Sequence, residues 1–382
     1  MRMKADYVVI GAGISGCSIA YNLAKKNQKN IIVIDKGYLT SGATGRCGAG
    51  IRQQWGTKMN CLLAKASIEF FEHAQEILKY DKDLEFKQKG YLILAVTEEE
   101  DKDFSKNVKL QNSLGIPSVK LNKEEAKQIV PHLNTNAFIS ATFCKTDGHL
   151  NPFLITDAFY QAAKNLGVEF YFHEEVLDII IKEGIIEKVI TNKREIYTSN
   201  VINAAGGYAN EIAEMVGINA YVYPERHEIL VTEPVENMQG PMVMSFGKNL
   251  YCQQVPHGSF LMGRTTLNEK KGHNIESSWQ FLDEMSKTVC ELLPAIGKLR
   301  VIRQWAGLYT VSPDRQPIIS KTNIKGFYLA CGFSGHGFMF APMTGLLLSE
   351  IILGEELSID INELSIDRFE KQSTFVYEKS VV

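Results

Sequence analysis

One turn limits what this chain can fold into: Gly11-Ala12-Gly13-Ile14-Ser15-Gly16. It follows a β-branched run at residues 6–10 (DYVVI), which reads as a buried strand. Residues 17–26 carry helical spacing, and residues 30–35 (NIIVID) form a second strand. Strand, glycine turn, helix and strand make a βαβ unit, which requires a parallel sheet covered by helices. Gly11 permits the tight turn, Gly13 lets backbone approach a pyrophosphate, and Gly16 lets helix and strand pack closely. The helix N-terminus then faces the phosphates. Asp35 ends the second strand, with Lys36 after it, where a carboxylate accepts both ribose hydroxyls. The pattern predicts a bound dinucleotide, with Ala12, Ile14 and Ser15 completing the turn. A glycine-rich turn without a ligand is the plainer alternative; two flanking strands and the acid weigh against it.

At 382 residues the chain has room for two domains. Helices are expected at residues 61–80, 123–129, 151–166 and 279–292, the third capped by Asn151 with Pro152 in its first turn. Strands are expected at 90–96, 168–172, 176–181, 185–191 and 200–204, and several more between 221 and 264. Residues 326–331 form a strand that runs through a glycine cluster into a helix ending near 353. The βαβ character thus recurs at the start, middle and end. The fold class is α/β: a Rossmann-like domain of the glutathione-reductase type, assembled from 1–80, 145–217 and 300–382. An inserted α+β domain with a mixed or antiparallel sheet takes 81–144 and 218–299.

Net charge is −3, so nothing draws the chain toward nucleic acid. Seven scattered cysteines contain no CxxC pair, so no metal site and no disulfide framework is expected, and the cytoplasm is the default compartment. Arg2 and Lys4 before the apolar stretch 7–24 resemble an export signal, but glycines interrupt that stretch. No transmembrane segment is expected. HExxH, P-loop lysine and GxSxG patterns are absent.

Two further clusters narrow the ligand. Residues 41–52 read SGATGRCGAGIR: Gly42, Ala43, Thr44, Gly48, Gly50 and Ile51 let the chain run close to a flat ring, and Arg46 and Arg52 offer charge. A surface loop with solvated arginines is the alternative. Residues 331–338 read CGFSGHGF, placing Gly332, Gly335, His336, Gly337 and Phe338 between a strand and a helix start. Such a helix N-terminus stabilises negative charge on a reduced flavin. Cys47 and Cys331 read as inert buried thiols.

These clusters, in this order, resemble the D-amino-acid-oxidase superfamily over residues 6–353. Within it, GATGRCGAGIRQQW and CGFSGHGFMFAP are most similar to the FAD-carrying β subunits of heteromeric L-proline dehydrogenase and sarcosine oxidase. The resemblance implies FAD, further cofactor contacts at Val176, Ala204, Ala205, Gly206, Gly307 and Met339, and oxidation of a small amino or imino acid. It implies a second subunit that accepts the electrons, with FMN conceivable at that interface. The cysteine that tethers flavin in monomeric relatives matches Gly307, and the histidine that tethers FMN in heteromeric ones matches Asn151-Pro152, with His149 out of register. Any flavin is therefore expected to be non-covalent. Two lysines of the monomeric oxidases are absent, one that activates oxygen, in the strand SFLMGR near Leu261, and one that helps hold the carboxylate, at Met339. Losing a fixed cation beside the flavin favours a dehydrogenase over an oxidase. Arg52 is the first candidate for the substrate carboxylate, with Tyr251 and Tyr309 as hydroxyl donors and His336 as a catalytic candidate. Arg226, Arg264 and Arg303 compete with it, while His227 and His257 read as structural. A stand-alone peroxide-producing oxidase and a non-catalytic FAD-binding subunit are the alternative readings.

Overall fold

The computed structural model describes residues 2–266, 268–370 and 376–380. Tyr7–Ile10 and Ile31–Ile34 pair in parallel and are buried almost throughout. That is the condition for a central sheet covered on both faces. The six-stranded sheet runs Ile318–Lys321, Phe327–Cys331, Val201–Asn203, Tyr7–Ile10, Ile31–Ile34, Glu169–Tyr171. Every pairing is parallel except the first. Helix Ile14–Lys25 leaves the glycine turn and crosses helix Gly337–Leu353 closely: a Cβ on Gly345 would lie 2.1 Å from Ser18 Oγ. The two chain segments that carry glycine clusters are thereby locked together.

The eight-stranded sheet is mixed. Its order is Val301–Val311, Tyr223–Thr232, Phe260–Thr265, Leu250–Gln254, Met242–Ser245, Tyr91–Ala95, Ser140–Cys144, Ser118–Leu121. Only Met242–Ser245 and Tyr91–Ala95 pair in parallel. Helix Trp279–Leu292 buries Phe281, Met285 and Val289 in the same core as Leu92, Val243 and Phe260. The fold is thus α/β with a Rossmann-like sheet beside a second, mixed one. The strand Val301–Val311 pairs from end to end with Tyr223–Thr232. The expected boundary at 300 would have put it with the nucleotide-binding segments; its hydrogen bonds put it in the eight-stranded sheet instead. A four-stranded sheet of Arg2–Lys4, Glu195–Tyr197, Ile185–Thr191 and Val176–Lys182 completes the frame.

Asn151 caps helix Pro152–Asn165 through its side-chain oxygen, which accepts from the Phe153 and Leu154 amides. Helix Glu98–Ser113 was not expected, because it buries little beyond Phe104 and Gln111. A Thr97/Glu100 capping box and an acidic first turn hold it in place of an apolar stripe. Among the described residues no helix is long and apolar enough to cross a membrane.

Candidate functional site

A cavity of about 680 Å³ runs from the glycine turn, between the six- and eight-stranded sheets, to the start of helix Gly337–Leu353. At one end Gly11, at φ +112°, turns the chain so tightly that a Cβ there would sit 2.3 Å from the Ala204 carbonyl oxygen. Asp35 is fixed by the same turn: Oδ2 accepts the Ala12 amide at 2.7 Å and Oδ1 the Gly37 amide at 2.7 Å. Ala43–Arg46 makes a short 3-10 turn, and Thr44 Oγ1 accepts the Ile14 amide at 3.1 Å. Arg46 then bridges to the other sheet, with Nη1 donating to the Ala306 carbonyl at 2.9 Å and its own carbonyl accepting from Trp305 Nε1 at 3.0 Å.

At the far end Arg52 is 3% exposed. Nη1 donates to the Gln54 carbonyl at 2.7 Å and Nη2 to the Ser380 carbonyl at 2.6 Å. Its face lies 3.8 Å from the Trp55 ring, and Nε has no partner among the described residues. His336, the N-cap of helix Gly337–Leu353, is 1% exposed, edge-on to Trp55 at 4.9 Å and to Phe340 at 5.0 Å. Neither ring nitrogen makes a well-formed hydrogen bond among the described residues, although the Ser334 backbone lies close enough to favour the protonated ring. Burial first, and the Arg52 charge second, hold His336 down at about 3, so it is neutral at pH 7.

One wall is a stack of three parallel rings. His227 sits between Tyr309 at 4.2 Å and Tyr251 at 5.6 Å, each tilted by 8°. Its Nε2 meets the Tyr251 hydroxyl at 3.3 Å and its Nδ1 meets Thr265 Oγ1 at 3.2 Å. Burial keeps His227 at about 3 and raises both tyrosines. Tyr91, Met242, Met244 and Ile229 complete an apolar surround.

Most expected residues line this cavity, including Gly13, Ser15, Lys36, Gly42, Cys47, Gly48, Gly50, Val176, Ala205, Gly206, Gly307, Gly335, Gly337, Phe338 and Met339. Ala12, Gly16, Ile51 and Gly332 do not. Ala12 and Gly16 shape the turn: a Cβ on Gly16 would lie 1.9 Å from the Gly11 oxygen. Ile51 is core beneath the cavity, and Gly332 packs on Ile318 and Ser312. The competing arginines are engaged elsewhere. Arg226 pairs with Glu269 at 2.8 Å, Arg264 with Glu284 at 3.2 Å, and Arg303 is exposed. His227, expected as structural, lies in the cavity wall; it stands two strands before Tyr251 in sequence, which gave no local signal. Cys47 lines the cavity, and burial pushes its thiol up to about 12.

The residues fit FAD. Cβ atoms added at Gly42 or Gly206 would meet no protein atom within 4 Å, so both face open space. Orphaned donors and acceptors on Arg52 and His336 lie at the other end of one elongated cavity. A turn that admits a pyrophosphate, an acid for a ribose, and a wide apolar end for a ring define a flavoprotein site.

A family model, "FAD dependent oxidoreductase" (DAO), matches residues 6–351, and the chain belongs to this family. The crystal structure of L-proline dehydrogenase from P. horikoshii is 36% identical, with a TM-score of 0.91 over 97% of this chain and 99% of that one. Glycine oxidase of Bacillus subtilis is 29% identical, covering 97% of this chain and 99% of its own. Sarcosine oxidase subunit beta of Arthrobacter sp. is 28% identical, covering 97% and 92%.

Proposed function

We propose that the protein oxidises the C–N bond of a small amino or imino acid of the proline or sarcosine kind, as the FAD-carrying subunit of a heteromeric dehydrogenase. The observation that carries this reading is the buried Arg52 guanidinium, lining the apolar end of the cavity beside the neutral His336. A buried cation in an apolar wall binds a monocarboxylate, because an anion left unpaired there costs several kcal/mol, about 2–7 even for a neutral polar group. Arg52 binds the carboxylate. Tyr251, Tyr309 and His227 form a wall that orients the amine: with the Tyr251 hydroxyl donating to His227 Nε2, its oxygen can accept a hydrogen bond from the amine N–H.

FAD, when bound, supplies the hydride acceptor. Helix Gly337–Leu353 starts at the cavity, with Gly337, Phe338 and Met339 lining it and no side-chain cap on its first turn, so its N-terminal dipole favours negative charge that develops there. Gly307 has no nucleophile, and the segment before helix Pro152–Asn165 supplies Asn151 and Pro152, so the flavin is held non-covalently, as would be any FMN at a subunit interface. Met339 lines the cavity where the resemblance puts a carboxylate-holding lysine, and residues 259–264, around Leu261, carry no lysine to assist oxygen. That favours a dehydrogenase.

Turnover tests this reading. Purified protein is given L-proline, sarcosine, glycine, D-amino acids or an opine with an artificial dye acceptor, and separately with oxygen. Dye reduction with little peroxide supports it. Peroxide formed as fast as dye reduction indicates a stand-alone oxidase, and no turnover with any amine sinks the assignment.

A further inference from the structure

Arg52 is held by a segment 328 residues away in sequence. Residues 376–380 cross the start of helix Lys58–Ile77 and bury Glu378 completely, at 0% exposed. The Glu378 carboxylate accepts from Thr57 Oγ1 at 2.9 Å, Asn60 Nδ2 at 3.0 Å, the Gly56 amide at 3.3 Å and the Ser380 amide at 2.9 Å. Its own amide donates to the Asp314 carbonyl at 3.1 Å, and the Asp314 carboxylate is ion-paired to Arg368 at 2.7 Å. The turn that Glu378 closes presents the Ser380 carbonyl to Arg52 Nη2.

A guanidinium is planar, with five N–H donors in fixed directions. The Ser380 carbonyl, the Gln54 carbonyl and the Trp55 face together fix that plane, leaving the Nε edge unpartnered among the described residues. Neither Glu378 nor Ser380 lines the cavity, so neither can touch a ligand there. Four donors fix the Glu378 carboxylate, and the turn it closes bears directly on the buried cation.

We propose that residues 376–380 are a strap that orients Arg52, with Glu378 as its positioning residue, so that recognition of a carboxylate in the cavity depends on this C-terminal segment. The inference rests on the reading of Arg52 as the carboxylate-binding group.

The test uses the flavin-loaded protein, Glu378→Gln, and a chain shortened to end at residue 375. The substituted amide cannot accept from all four donors, yet it keeps the volume of the carboxylate. Dissociation constants come from the flavin spectrum for L-proline and L-prolinamide, or for whichever amino acid reduces the protein and its amide. The expected result is a rise of about tenfold or more for the carboxylate and about twofold or less for the amide, with bound flavin unchanged. Equal changes for acid and amide, or none, overturn the strap. If the shortened chain loses its flavin, Glu378→Gln decides alone. A wild-type protein that does not prefer the acid to the amide is a different failure: it removes the role of Arg52, and the strap with it.

Discussion

The Asp35 carboxylate and the Ala12 amide are hydrogen-bonded at 2.7 Å, so the acid and the glycine turn form one unit and not two separate ligand contacts. The strand Ile31–Ile34 delivers the acid to the turn that follows Tyr7–Ile10, and parallel pairing of Ile10 with Ile34 sets the register. Each partner pre-organises the other for a nucleotide.

Asp35→Asn should therefore weaken FAD by about 1.5–3 kcal/mol, the value of hydrogen bonds to a charged group, or roughly tenfold or more in affinity. Gly11→Ala should do at least as much harm, since its Cβ would meet the Ala204 oxygen at 2.3 Å. Flavin content after purification and titration of the apoprotein measure both. Full flavin retention in Asp35→Asn would contradict the ribose role.

Acid precipitation should release the flavin into the supernatant, because Gly307 carries no nucleophile and its Cβ position is already 3.0 Å from Arg46 Cβ. Colour that stays with the pellet shows a covalent bond at a residue other than Gly307.

Taking the flavin-free protein below neutral pH should destabilise it. His227 and His336 are held at about 3 and His149 at about 4, all chiefly by burial, against 6.5 for a free imidazole. Their unfolded forms bind more protons below 6.5, so stability is present above that pH and is lost as pH falls toward the folded values. Asp147 acts oppositely: burial raises it from 3.8 to about 6, so between those values the folded state holds the extra proton and gains stability as pH falls. Three imidazoles against one carboxyl leave about two protons, a slope of roughly 2–3 kcal/mol per pH unit near pH 5. Urea midpoints at pH 7, 6 and 5 read it directly; a flat profile contradicts it.

His227→Phe keeps the ring stack with Tyr309 but removes the partner of the Tyr251 hydroxyl. Flavin content should hold, while the rate of flavin reduction falls by up to roughly tenfold, the value of one lost hydrogen bond of about 0.5–1.5 kcal/mol. Tyr251→Phe should give a similar loss, and the double variant little more, because both remove one hydrogen bond. Additive losses would show that the two residues act separately.

The glycine turn, Asp35 and the two small-residue clusters were legible in the sequence because each needs a local pattern: a positive φ at Gly11, a close approach at Gly16, a strand before and a helix after. Helix Glu98–Ser113 was not, because capping and charge hold it without an apolar stripe. The His227 stack was illegible for another reason. It joins strands Tyr223–Thr232, Leu250–Gln254 and Val301–Val311, and the last of these falls in the span 300–382 that was assigned to the nucleotide-binding domain. Arg52 was found as a candidate, but its orientation depends on Ser380, 328 residues on, where no spacing rule reaches.

Anaerobic single-turnover reduction tests the central claim most directly. The flavin-loaded protein is mixed with rising concentrations of L-proline, sarcosine or glycine, and the visible flavin band is followed. The account predicts complete bleaching by at least one of them, with a rate that saturates in its concentration, and a much weaker response after Arg52→Ala. A flavin that dithionite bleaches but no carboxylate-bearing amine does would contradict it.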